Sequence, residues 1–600
     1  MKALKRLNKY IWRYKGLLLF GTLCVILANL FGIYPPQVVR SAIDLVGDLI
    51  KVDALHEGFA VRSSVNGLIG TSLVVFSILT ISFALIRGLF MFLMRQTLIV
   101  MSRKVEFDLR NDMYAHYQEL SLSFYRKNRT GDLMARITED VGRVRMYLGP
   151  GIMYTINTIS LMIVVVITMM TVNPELTLYT LLPLPLLSFL IYYVESRVLK
   201  RSDRIQEQMS KLTAFTQEVY SGIRLTMAYT RERDFGRKFE SESREYHGRS
   251  MGLIRLNSYF FPVVMVLVGL STALLVWIGA EKVIDGTLSV GNIAEFIIYV
   301  NMLTFPIISL GWVTSLTQRA AASQQRINDF LDERSEIEFP ATKHQIEAAR
   351  VEFKEVGLVY PSTGTHALQE ISFTLEPGQK LGIIGATGSG KSTLCNLIPR
   401  LFDPQEGQIL IDGRDIREYS KENLRNEIGY APQDVFLFSE SILENVAFGL
   451  PGATREQVEL ATKLSGVYDN VVGFKEGFET VIGERGVTLS GGQKQRLALA
   501  RAWVREPKLL ILDDSLSAVD TKTEELILGN LRQARIDRPE MAVIMVSHRV
   551  STIQDADLIL VLEHGRIVEQ GNHARLVDAG GYYANIHRKQ LIEQELGVEA

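Results

Sequence analysis

The sequence predicts a multidomain chain: an all-α membrane domain of six spanning helices, followed by an α/β domain built on a phosphate loop. Three observations predict it. Six stretches of the first half are long and apolar enough to cross a bilayer. After Phe330, short β-rich runs punctuated by glycine alternate with helical segments. One of those runs passes through a glycine-rich loop into a helix start. At 600 residues the chain exceeds one ordinary domain. The expected boundaries are 1–330 for the membrane domain, 331–350 for a linker, 351–588 for the α/β domain and 589–600 for a tail.

A hydrocarbon core of about 30 Å needs about 20 residues of helix. The stretches that meet this are Leu17–Val39, Leu68–Met94, Ile152–Val172, Leu176–Val194, Tyr259–Gly279 and Val290–Leu316. Lys2, Lys5, Arg6, Lys9, Arg13 and Lys15 precede the first, and no small-residue cleavage site follows it, so it reads as a retained helix. The connections 95–151 and 195–258 are long and basic, the second carrying Arg197, Lys200, Arg201, Arg204 and Lys211 among others. They belong in the cytoplasm with the N-terminus, and the short loops at Asn173-Pro174-Glu175 and Glu281–Thr287 belong outside. The two cytoplasmic connections keep helical spacing, so the spanning helices are expected to run well past the bilayer. Their centres hold Phe124-Tyr125 with Thr130-Gly131-Asp132-Leu133, and Tyr220-Ser221-Gly222-Ile223-Arg224, where glycine allows a reversal.

A net charge of −1 gives no excess that would argue for nucleic acid. Cys24 and Cys395 are the only cysteines, which excludes a disulfide framework and a cysteine zinc site. His564 and His573 lack a second ligand at metal spacing and read as surface residues.

The chemistry is concentrated at Gly385-Ala386-Thr387-Gly388-Ser389-Gly390-Lys391-Ser392-Thr393, between the apolar strand Lys380–Ile384 and a helix. Glycines let main-chain N–H groups close around phosphates, and the helix N-terminus adds positive potential. Lys391 reaches the β and γ phosphates of ATP, and Ser392 ligates Mg²⁺. A second apolar strand, Leu509–Leu512, ends in Asp513, which is placed to hold the magnesium shell.

With these residues stands Leu489-Ser490-Gly491-Gly492-Gln493, and here the chain resembles the ATP-binding-cassette exporters over essentially its whole length. The resemblance implies an α/β nucleotide-binding domain. Tyr360 is similar to the aromatic that stacks on adenine, and Gln433 to the glutamine that senses Mg²⁺ and the membrane domain. Glu484-Arg485-Gly486 precedes the signature, Ser517-Ala518-Val519-Asp520 resembles the dimer-contact loop, and His548 resembles the switch histidine. By this resemblance each ATP lies between the phosphate loop of one chain and the signature of another, so a single chain cannot complete a site. The 124–133 and 220–228 segments become coupling helices that rest on the ATPase domains.

One residue departs from the family pattern. Where a glutamate usually orients the attacking water, this chain has Asp514, one methylene shorter, followed by Ser515-Leu516. General-base catalysis depends on hydrogen-bond reach. The expectation is a heterodimer: this chain's own site binds ATP and hydrolyses it poorly, while its signature completes a competent site on a partner bearing glutamate. The alternative is a homodimer in which Asp514, helped by His548, supports modest turnover.

Arg87 and Glu295 fall within predicted spans, where an ionisable group suggests a cavity or a pairing, although either can also reach a membrane surface. Pro183, Pro185, Pro262 and Pro306 are expected to bend or weaken their helices. The function expected is ATP-driven export of amphipathic or drug-like compounds or lipids by a multi-pass protein, by default in a bacterial plasma membrane. A lipid floppase and a nucleotide-gated channel subunit stand as alternatives.

Overall fold

Long apolar runs with few breaks satisfy their own main-chain hydrogen bonds as helices, which a lipid environment demands. In the computed structural model, residues 2–55, 62–342, 344–360, 363–483, 486 and 488–595 are described. Among the described residues, six helices are long and apolar enough to cross a membrane: Lys15–Lys51, Gly67–Glu119, Thr130–Val172, Pro174–Ser221, Glu232–Ile284 and Val290–Leu331. Each contains one stretch anticipated above and runs beyond it. The longest have 53 residues, about 80 Å at 1.5 Å per residue, against the about 30 Å of a bilayer core.

Contacts divide the chain into two units, Met1–Gln118 with Thr130–Glu333, and Glu119–Arg129 with Arg334–Ala600. Within the first unit, small polar side chains tie helices together. Asn29 donates to Ser160 at 2.5 Å, and Thr158 lies 3.0 Å from Ser309. Asp140, at a π-helical turn over Arg136–Asp140, accepts from Ser323 at 2.9 Å and from Arg326 Nε at 2.9 Å. Glu295 is fully buried, accepts from the Tyr299 hydroxyl at 2.9 Å and faces Arg40 at 3.5 Å, so it is paired and does not reach a surface. Arg87 is half-buried against Gly32 of the first span. Pro262 and Pro306 lie inside their helices, and a turn at Leu182 precedes Pro183. Pro35 and Pro36 sit inside the first span.

Among the described residues, the second unit holds two sheets. Strands β1 (Val351–Tyr360), β2 (Thr365–Leu375), β4 (Glu406–Ile411) and β5 (Arg414–Asp415) pair antiparallel in the order β2-β1-β4-β5. The larger sheet joins β3 (Lys380–Gly385), β6 (Ile428–Ala431), β7 (Leu509–Asp513), β8 (Ala542–Val546), β9 (Leu558–Glu563) and β10 (Arg566–Gly571). Its order is β10-β9-β3-β8-β7-β6, parallel except for the edge strand β10. Every residue of β3, β7 and β8 is buried, as expected of parallel strands covered on both faces. Because β3, β8, β7 and β6 are parallel neighbours, their carboxyl ends open on one edge, where ligands of α/β sheets bind.

Candidate nucleotide site

The sheet order brings four loops together. The loop after β3 is the glycine-rich segment, the loop after β8 carries His548, Asp513 ends β7 with Asp514 following it, and Gln433 lies two residues past β6. Gly388 and Gly390 have φ of +81° and +103°, a region that residues with a Cβ rarely enter. A Cβ on Gly390 would stand 2.5 Å from the Ala367 carbonyl oxygen. Beside Gly388 nothing lies within 4 Å of such a Cβ, so that flank of the loop is open.

Lys391 starts the helix Lys391–Leu397 and donates to the carbonyls of Gly385 and Ala386, both at 2.8 Å. Ser392 donates to Asp513 Oδ1 at 3.0 Å. The Asp514 carboxylate accepts from Gln433 Nε2 at 3.3 Å and lies 3.8 Å from His548 Nε2. Burial holds the Asp513 and Asp514 carboxyls above the ordinary aspartate value, and it holds Lys391 below the ordinary lysine value. Asp514 and Asp513 pull the Lys391 value part of the way back. Asp514 adopts φ +49°, a conformation that aspartate tolerates better than most residues.

These residues fit a magnesium nucleotide. Among the described residues the buried Ser389 hydroxyl has no hydrogen-bond partner. Ser392 and Asp513 already face each other as an oxygen pair of the hard kind that magnesium takes. Lys391 rests on neutral carbonyls that an anion could replace. Tyr360 bonds the Thr393 hydroxyl at 3.0 Å, which places its ring beside the first turn of the same helix.

Ser490 caps the helix Gly491–Trp503 in a reciprocal box. It accepts from Gln493 N–H at 3.3 Å, and its own N–H donates to Gln493 Oε1 at 2.9 Å. Ser490 and Gly491 are exposed. Gly492 must be glycine, because a Cβ would stand 2.7 Å from the Ala518 carbonyl oxygen. Among the described residues, no hydrogen bond or ion pair joins Ser490–Gln493 to the 385–393 loop. Glu484 and Arg485 lie outside the described residues.

Four contributors carry no local sequence signal. Gln495 donates to Ser517 Oγ at 2.9 Å and accepts from Ala518 N–H at 2.9 Å, tying the signature helix to the loop that follows Asp514. Arg126, from the segment that clusters with this unit, places its guanidinium 5.0 Å from the Tyr360 ring and 4.7 Å from the Phe402 ring. Glu524 accepts from Arg549 at 2.8 Å and from Thr552 at 2.5 Å. Gln590 bonds the main chain on either side of Arg549. Each pairing crosses more than 20 residues of chain, so nothing local announces it. His573 is half-buried and bonded to the Tyr583 hydroxyl at 2.8 Å.

Comparisons with known proteins find relatives along nearly the whole chain. A family model described as the ABC transporter transmembrane region matches residues 18–307, and one described as ABC transporter matches residues 368–517. The chain is 32% identical to the multidrug resistance-like ATP-binding protein MdlA of Escherichia coli, over 99% of this chain and 98% of that one. It is 34% identical to the probable multidrug resistance ABC transporter ATP-binding/permease protein YheI of Bacillus subtilis, over 98% and 99%. It is also 34% identical to the ATP-dependent lipid A-core flippase of Aromatoleum aromaticum, over 81% and 80%. A solved bacterial Atm1-family ABC exporter with ATP bound matches with a TM-score of 0.75 at 26% identity, over 96% of this chain and 99% of that one.

Proposed function

Since the chain belongs to the ATP-binding-cassette exporter family, we propose that it is one half of a paired exporter whose own phosphate-loop site is the slower of two. Membership brings ATP hydrolysis coupled to export, in a multi-pass protein of the bacterial inner membrane with its ATP-binding domain in the cytoplasm. Exporters of this family work as dimers.

In this reading the 385–393 loop wraps the phosphates, and Lys391 exchanges its two carbonyl partners for phosphate oxygens. Tyr360 stacks on the adenine. Ser392, Asp513 and Gln433 would hold Mg²⁺, partly through water, and the ion would supply charge neutralisation at the phosphates. Ser490, Gly491, Gly492 and Gln493 present a hydroxyl and N–H groups at a helix start, a donor set for the γ-phosphate held by a partner chain. The exposure of Ser490 and Gly491 supports that role.

The observation that carries the proposal is Asp514. It is the carboxylate beside His548, and it is one methylene shorter than the glutamate usual in the family. Orientation sets the rate of attack by water, and a misplacement of ~1 Å can cost about 10²-fold. The intact signature completes the site of a partner chain that bears the glutamate itself. For cargo, the multidrug and lipid A-core relatives support amphipathic compounds, either drug-like molecules or lipids.

The test is ATP turnover by this chain alone and by the co-purified pair, each with and without Asp514→Glu. A nearly inactive lone chain, an active pair and a gain of about tenfold or more with Asp514→Glu are expected. A lone chain that dimerises with full turnover, abolished by Asp514→Ala, makes Asp514 a working catalytic carboxylate and sinks the heterodimer.

A further inference from the structure

We propose that Gln590, on the C-terminal helix Tyr582–Glu595, is the positioning residue that holds the His548 loop beside Asp514. The inference rests on the site reading above and concerns what sets the geometry of that site.

The chain leaves β8 at Val546 and begins the short helix Val550–Ile553 four residues later. A helix start leaves main-chain N–H groups without partners. Arg549, at the cap position, supplies no side-chain bond to them. Gln590 supplies one instead: its Oε1 accepts from the Val550 N–H at 2.8 Å. Its Nε2 donates to the His548 carbonyl at 2.8 Å, so one amide grips both sides of the loop. The two bonds demand opposite ends of the amide, which fixes its orientation.

The helix that carries Gln590 is itself anchored. Glu569 accepts from the main-chain N–H groups of Tyr582 and Tyr583, and the Tyr583 ring is fully buried. On its other side the loop is tied to Glu524 through Arg549 and Thr552. A cavity of about 280 Å³ lined by Asp514, Glu524, His548 and Gln590 lies within this frame. Close packing therefore does not fill the space on this side of the loop, and these hydrogen bonds, with the Arg549 N–H donated to Ser547 Oγ at 3.0 Å, hold it there. The His548 side chain is 44% exposed and lies 3.8 Å from Asp514. A small displacement of its main chain changes that separation directly.

The experiment measures kcat and KM for ATP on the full-length chain in its active assembly, with Asp514 native and with Asp514→Glu. Gln590→Leu keeps the volume and removes both bonds; Gln590→Glu keeps the acceptor for Val550 and loses the donor to His548. With Asp514→Glu, where this chain's own site turns over, Gln590→Leu is expected to lower about tenfold the kcat which that substitution adds, with KM within about twofold, short of the about 10²-fold that a 1 Å misplacement can cost. Gln590→Glu is expected to fall between Gln590→Leu and the native chain. An unchanged kcat with Asp514→Glu overturns the inference. So does a loss in which KM rises in parallel and the thermal midpoint drops, since that is what a merely structural residue does. His548→Ala in the same preparation separates the two readings. If, with Asp514→Glu, it leaves the added kcat unchanged, the site reading fails and this inference with it; if it abolishes the added turnover while Gln590→Leu does not lower it, only the role of Gln590 fails.

Discussion

Gly390 shows how much of the site is decided by the conformation of single residues. At φ +103° a side chain is strained wherever it points, and here the Cβ would also stand 2.5 Å from a main-chain oxygen that cannot move aside. Gly390→Ala is therefore expected to cost at least about 2 kcal/mol, since backbone strain of this kind alone costs of order 1–3 kcal/mol. It should also abolish binding of a fluorescent ATP analogue. Thermal unfolding and equilibrium titration of the full-length chain check both. The neighbouring charges follow the same logic: Lys391, Asp513 and Asp514 are all buried, and burial moves each toward its neutral form. These residues were legible in the sequence because their spacing repeats a chemical requirement. Arg126 was not, because an arginine in a basic connection looks like any solvated charge until the fold sets it over Tyr360.

At the scale of elements, helix starts recur as functional positions. The helix Gly491–Trp503 begins at Ser490 with both halves of a capping box made. Ser490→Ala should lower stability by about 1 kcal/mol, as loss of a serine cap typically does. In the reading proposed here it should also slow turnover at the partner's site while leaving ATP binding at this chain's own phosphate loop intact. Comparing analogue binding with turnover in the assembled pair tests this; equal loss of both would remove the assignment of Ser490 to the partner's nucleotide. The helix Val550–Ile553 works differently, borrowing its cap from Gln590, and no local pattern of residues announces a cap supplied from 40 positions away.

At the scale of the whole molecule, the segment Glu119–Arg129 lies in sequence between two spanning helices yet clusters with the ATP-binding unit. Leu122 packs against the core of that unit, and Ser123 and Lys127 both bond Glu336. The Ser123 and Lys127 hydrogen bonds hold the Glu336 carboxyl below the ordinary glutamate value. Its depressed folded pKa means the stabilisation is present above the unfolded value and is lost as pH falls through the lower, folded one. Glu336→Gln should thus lower the thermal midpoint at pH 7, by an amount equivalent to about 0.5–1 kcal/mol for a half-exposed pair. The gap to the native chain should close on acidification below the ordinary carboxylate range. A gap that is constant with pH would show that charge is not what holds the segment. In the membrane unit, by contrast, none of the apolar window of Gly67–Glu119 is buried within the chain, leaving it for lipid or a second chain.

What the sequence by itself determined is local: six apolar lengths, a strand passing through glycines into a helix, a signature segment, and an aspartate where glutamate is usual. Each is written in consecutive residues, because helix length, positive φ and capping are properties of a few neighbouring positions. Only the tertiary structure decided that the ends of β3, β8, β7 and β6 open side by side, bringing Lys391, His548, Asp513 with Asp514, and Gln433 into one site. It also decided that Glu295 is paired with Arg40 and Tyr299, and that Gln495 and Gln590 serve the loops around Asp514. The physical reason is that a polar side chain reads as solvated until a distant part of the chain buries it. Its partner then follows from strand order and helix packing, which no short stretch of sequence encodes.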